Sequence, residues 1–88
     1  MVFVRFYGHF REITKEKEIE VKAKSLENTI KILIKKYPEL KNALLSGNRI
    51  KPYVKVMVNG QDINILGKMK TKLNEKDEVV IFPPVGGG

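Results

Sequence analysis

The segment Glu78-Val79-Val80-Ile81-Phe82, halted at once by Pro83-Pro84, constrains this chain more than any other stretch. Four consecutive large apolar side chains, β-branched at Val79, Val80 and Ile81, favour an extended strand. An unbroken run of this kind suits a strand covered on both sides and set inside a sheet. The prolines lack amide donors and hold an extended path, so the ladder cannot continue through them. The sheet must therefore be assembled around a strand contributed by residues near the end of the sequence.

The remaining segments supply its neighbours. Val2 to Tyr7 is β-branched or aromatic except for Arg5, which predicts an opening strand with Val2, Val4 and Phe6 on one face. Gly8 punctuates it, and residues 8–17 read as a loop leading to the alternating Glu18-Ile19-Glu20-Val21-Lys22, a half-buried second strand. Ser25 is a suitable N-cap, Glu27 complements the first turn, and Leu26, Ile30, Leu33, Ile34 and Tyr37 recur at helical spacing. Pro38 ends this helix and can start a short second one over Pro38 to Leu45, closed by Gly47. Val54 to Val58 alternates again and runs into Asn59-Gly60, suited to the positive-φ pair of a tight hairpin turn, with Ile63 and Ile65 on the returning strand. A first and a last strand joined through a helix would be parallel neighbours with a right-handed connection. The expected fold class is α+β: a mixed sheet, one main helix on one face, a short second helix, in the β-grasp arrangement. The expected domain spans residues 1–82, with residues 83–88 as a flexible tail ending in diglycine.

At 88 residues and 42% apolar content there is material for one small domain, and docking onto something larger is easier to build than a private catalytic cleft. The absence of cysteine excludes disulfides, thiolate nucleophiles and cysteine-based metal sites. A net charge of +7 would attract acidic surfaces, but the lysines are scattered and lack the stacking aromatics of a nucleic-acid module, so nucleic acid is not the expected partner. No apolar run reaches signal-peptide or membrane-spanning length, which points to a soluble, cytoplasmic protein without a membrane partner. His9 is the only histidine, too little for a triad or a metal cluster, and no metal is expected. Asp77 and Glu78 precede the last strand, and adjacent strand residues face opposite ways, so they read as turn or surface groups.

The functional signal lies in the residues after Phe82. Pro83-Pro84-Val85-Gly86-Gly87-Gly88 ends in three residues without side chains, slim and conformationally free. Extended, residues 83–88 reach roughly 20 Å, enough to carry a terminal carboxylate into another protein's channel. An adventitious glycine tail is the bland alternative, but it would not ordinarily continue from the most apolar strand through a Pro-Pro-Val join. Phe82, Pro83, Pro84 and Val85 can form an apolar collar for a partner, with core packing as the competing role of Phe82.

Asn59-Gly60, Leu73-Asn74-Glu75-Lys76-Asp77-Glu78-Val79, Ile81-Phe82-Pro83-Pro84-Val85 and the closing Gly87-Gly88 together resemble the molybdopterin synthase small subunit, a sulfur carrier among the ubiquitin-like β-grasp families. The opening Val4 to Thr14, with Phe6 and Arg11-Glu12, is similar to that family's first strand and loop. Gly86 departs from the pattern, where Ala or Ser is more usual. The resemblance implies a chain that is not an enzyme on its own. An E1-like adenylyltransferase, using ATP and magnesium, would join the Gly88 carboxylate to AMP, with Gly86 and Gly87 as the slim approach. A persulfide-forming sulfurtransferase would supply the sulfur that leaves Gly88 a thiocarboxylate. The molybdopterin synthase large subunit would then receive it for dithiolene formation. An α-carboxyl group with a pKa of about 3.3 to 3.7 is ionised near neutral pH and resists nucleophiles until activated, which agrees with such a cycle. The same activated carboxylate would serve a ubiquitin-like modifier that forms isopeptide bonds with lysines, or the sulfur carrier of thiamine biosynthesis.

Overall fold

The computed structural model describes residues 1–83. β1 (Val2–Phe6) buries Val2, Val4 and Phe6 and leaves Phe3 and Arg5 half-buried, the alternation of a strand with one covered face. It pairs antiparallel with β2 (Glu18–Val21), Val2 opposite Val21 and Arg5 opposite Glu18. Between them, where a loop is expected, stands a helix, α1 (Gly8–Thr14). No side chain caps it; it is held by burial of Phe10 and Thr14, by the Thr14 hydroxyl donating to the Phe10 carbonyl at 3.0 Å, and by left-handed Lys15 closing onto Arg11.

α2 (Leu26–Lys36) forms as its sequence requires. The Ser25 hydroxyl accepts from the Asn28 amide at 3.1 Å, Glu27 sits at the positive end, and Lys35 and Lys36 sit at the negative end. Leu26, Ile30 and Leu33 are buried along one stripe. The second helix is shorter than expected: α3 (Leu40–Leu44) begins after Pro38 and stops before Leu45. Leu45 instead enters β3 (Leu45–Ser46), paired with β4 (Arg49–Ile50), and Gly47 at φ 64° serves the turn between them. β5 (Lys55–Val58) runs into Asn59 and Gly60, whose φ values of 49° and 83° are those of the expected tight turn, and returns as β6 (Gln61–Asp62). The returning strand stops there. Ile63 and Ile65 lie in α4 (Ile63–Leu66), because the Asp62 carboxylate accepts from the Asn64 amide at 2.9 Å and caps a helical turn. A 3-10 turn over Lys68–Lys70 comes next.

The last strand, β7 (Glu78–Phe82), is central as expected: the sheet order is β2-β1-β7-β5-β6, with β7 parallel to β1 and antiparallel to β5. Coverage on both sides is not observed among the described residues. Val79 and Ile81 are 0% exposed against the helical layer, while Val80 and Phe82 are half-buried on the other face beside Phe3, Arg5 and Met57. Two strand neighbours, rather than a second layer, account for the apolar run. The fold is the α+β ubiquitin-like β-grasp, a mixed sheet with one main helix and shorter ones. No described helix is long and apolar enough to cross a membrane.

Candidate functional site

The folded end of the candidate site is where β7 stops. Val80 and Ile81 are tied to β1 on one side, and Phe82 lies opposite Lys55 of β5 on the other. Just beyond β1, the Tyr7 amide donates to the Ile81 carbonyl at 3.3 Å. The Tyr7 and Phe82 rings stack at 5.0 Å with 13° between their planes, an aromatic pair holding the last strand residue in place. The Arg11 guanidinium stands 5.2 Å from the Tyr7 ring centre, and its Nε donates to the Phe6 carbonyl at 3.1 Å. Pro83 is half-buried and lies over Gly8, whose φ is +53°. On the neighbouring strand Arg5, a permanent cation as any arginine is, lies beside the aromatic pair and is held further above its already high pKa, first by Tyr7 and then by Glu18, 3.3 Å away.

Of the residues singled out in the sequence, Phe82 and Pro83 meet here. Pro84, Val85, Gly86, Gly87 and Gly88 lie outside the described residues. Phe82 divides its surface between the Tyr7 ring and solvent on the face away from the core cluster, so it takes no part in core packing. Tyr7 and Gly8 were not legible as site residues; the only signal was a glycine directly after the strand that borders β7. His9 is exposed, with its ring 6.5 Å from Phe10.

Asp77 and Glu78 work at the opposite end of β7. The Asp77 carboxylate accepts from Asn59 Nδ2 at 2.9 Å and from the Asn74 amide at 2.7 Å, and the Glu78 amide donates to Asn59 Oδ1 at 2.9 Å. These groups clamp the β5–β6 turn onto the start of β7 and form no acid–base pair. Among the described residues no set of three His, Cys, Asp or Glu side chains could hold a metal ion. The arrangement offers no nucleophile with a matched base. Chemically, it can anchor the base of a chain end and present an apolar and cationic surface around it.

The ThiS family profile matches residues 4–88. This chain belongs to that family, the ubiquitin-like β-grasp sulfur carriers. The ThiS assignment is consistent with its relatives. Small archaeal modifier protein 3 of Haloferax volcanii is 33% identical over 88 residues, covering 97% of this chain and 96% of its own. A chain of the Amycolatopsis orientalis BexX/CysO complex superimposes with a TM-score of 0.91 at 25% identity, covering 100% of both chains. Small archaeal modifier protein 1 of Methanosarcina acetivorans gives 0.89 at 26% identity, covering 99% of this ThiS-family chain and 95% of its own.

Proposed function

We propose that this chain carries sulfur as a thiocarboxylate on Gly88 and delivers it to the large subunit of molybdopterin synthase. The carboxylate attacks the α-phosphorus of ATP in an E1-like adenylyltransferase that supplies the magnesium, releasing pyrophosphate and leaving an acyl adenylate. The terminal sulfur of a persulfide displaces AMP, and cleavage of its S–S bond by a second thiol leaves the thiocarboxylate. General acid and base groups belong to the partners, since the described residues of the carrier offer no matched set. Gly86 and Gly87 offer no side chain to obstruct a narrow channel, and Phe82, Pro83, Pro84 and Val85 dock around its mouth. The observation that carries the reading is the launch point: the tail continues from β7, the central strand, at a base where Phe82 and Pro83 stay half-exposed.

The test is intact mass spectrometry after incubation with an E1-like enzyme, ATP and a sulfur donor. The full chain should exchange one oxygen for one sulfur, and a chain lacking Gly88 should not; equal behaviour of the two removes the proposal. Mixed with the large subunit and its pterin precursor, the loaded chain should then lose its sulfur. Retention there removes the molybdopterin assignment and leaves carriage standing.

A second reading, conjugation to lysines of other proteins, is favoured by the name of the 33%-identical relative, a small archaeal modifier protein. High-mass conjugates that survive denaturation and require Gly88 would support it.

A further inference from the structure

A Cβ built on Gly8 would lie 2.7 Å from Cγ of Pro83, 3.6 Å from its Cδ and 3.7 Å from its Cβ. A flexible side chain could swing away from such a contact. A proline ring is bonded to its own backbone at two points, so beyond the small shift that a change of ring pucker allows, a side chain at position 8 must displace the chain itself. Positive φ alone does not demand glycine here, because Asn and Asp also visit the left-handed region; the missing space does. The surroundings hold the contact from behind. Tyr7 stacks on Phe82 at 5.0 Å and bonds to Ile81 at 3.3 Å, while Arg11 ties Phe6 and covers Tyr7.

We infer that Gly8 is a positioning residue for the tail: by admitting Pro83 into close contact, backed by Tyr7 and Arg11, it sets the direction in which the chain leaves the sheet. The inference rests on the proposed function, in which that direction decides how the terminal carboxylate meets ATP.

The test is a double-mutant cycle between Gly8 and Pro83, read as kcat and KM for ATP–pyrophosphate exchange on the E1-like enzyme of the same organism. Gly8→Ala and Gly8→Asn should each lower kcat about tenfold or more while KM stays within about twofold, because aim is disturbed and the docking face is kept. Adding Pro83→Ala removes Cγ and Cδ, and should bring kcat of both to within about threefold of Pro83→Ala alone. Wild-type behaviour of Gly8→Asn, or an equal loss from Gly8→Ala with and without Pro83, would mean that backbone strain matters and the contact does not. If the wild-type chain supports no exchange at all, the sulfur-carrier reading falls, and the positioning inference is decided by NMR. Cross-peaks between Gly8 Hα and the Pro83 ring protons, with the Phe82 and Pro83 resonances shifted in Gly8→Asn, support it; their absence overturns it.

Discussion

Asn59 tests how this sheet is locked, because it combines a strained backbone with two side-chain bonds. Its φ is 49°, its Nδ2 donates to Asp77 at 2.9 Å, and its Oδ1 accepts from the Glu78 amide at 2.9 Å. Both bonds are exposed, so the low end of the usual range applies, about 0.5 kcal/mol each. An alanine forced to positive φ adds about 1 kcal/mol, which a glycine avoids. Asn59→Gly should therefore cost about 1 kcal/mol, from the lost bonds, and Asn59→Ala about 2 kcal/mol, from bonds and backbone together. At 4–8 °C per kcal/mol for a domain of this size, the melting temperature should fall by about 4–8 °C in the first variant and about 8–16 °C in the second. Thermal unfolding followed by circular dichroism, with urea titration to confirm an unchanged slope, measures both. Coincident melts of the two variants would refute the backbone part, and a wild-type melt for Asn59→Gly would refute the side-chain part.

The geometry sets three further expectations. Phe82→Glu, with Lys55 opposite to receive the charge, should weaken binding to the E1-like enzyme at least about tenfold by calorimetry, as loss of a buried aromatic anchor does; it should cost only about 1 kcal/mol of stability for the lost aromatic pair, and unchanged affinity would remove Phe82 from the docking surface. Leu33→Ala, at 0% exposure on α2, should destabilise by about 3 kcal/mol, and a loss under about 1 kcal/mol would contradict the close packing of that stripe. The Met1 ammonium, by its hydrogen bond first and its charge second, holds the Glu75 carboxyl below its ordinary 4.5. A depressed carboxyl contributes stability above its unfolded pKa and loses it as pH falls through its folded pKa, so the gap between wild type and Glu75→Gln should close on acidification below pH 4.5; a constant gap in melting temperature would contradict the pairing.

The parts of the fold that could be read from sequence are those where local chemistry and burial agree. Ser25, Glu27 and the Leu26, Ile30, Leu33 stripe announce α2, Asn59-Gly60 announces its turn, and the Glu78 to Phe82 run announces a central strand. The failures lie where tertiary contacts decide. α1 carries no cap and starts on a glycine, so nothing local marks residues 8–14 as helical; the burial of Phe10, 1% exposed, does that work. Ile63 and Ile65 imitate strand alternation, yet one is 3% and the other 81% exposed, because Asp62 turns the chain into α4 between them and β6. At the candidate site, the Pro-Pro join was legible as the end of the ladder. The role of Gly8 was not, since it depends on a parallel register that brings residues 7 and 82 together across the whole length of the sequence.

That register also sets how firmly the end of β7 is held. Residues near a terminus ordinarily open with little free energy, because few contacts hold them. Here the strand leading to the tail is bonded on both edges, parallel to β1 through Phe3 to Phe6 and antiparallel to β5 through Lys55 to Val58. To fray Phe82, the chain must give up its ladder to β5 and its stack on Tyr7. A partner gripping the tail base thus pulls on the middle of the sheet instead of on an edge strand. Grafting the same residues onto the end of β2 or β6, the edge strands, would lose that resistance. Hydrogen exchange at Val80 to Phe82 should accordingly be among the slowest in this chain, and exchange as fast as that of β6 would refute the anchoring.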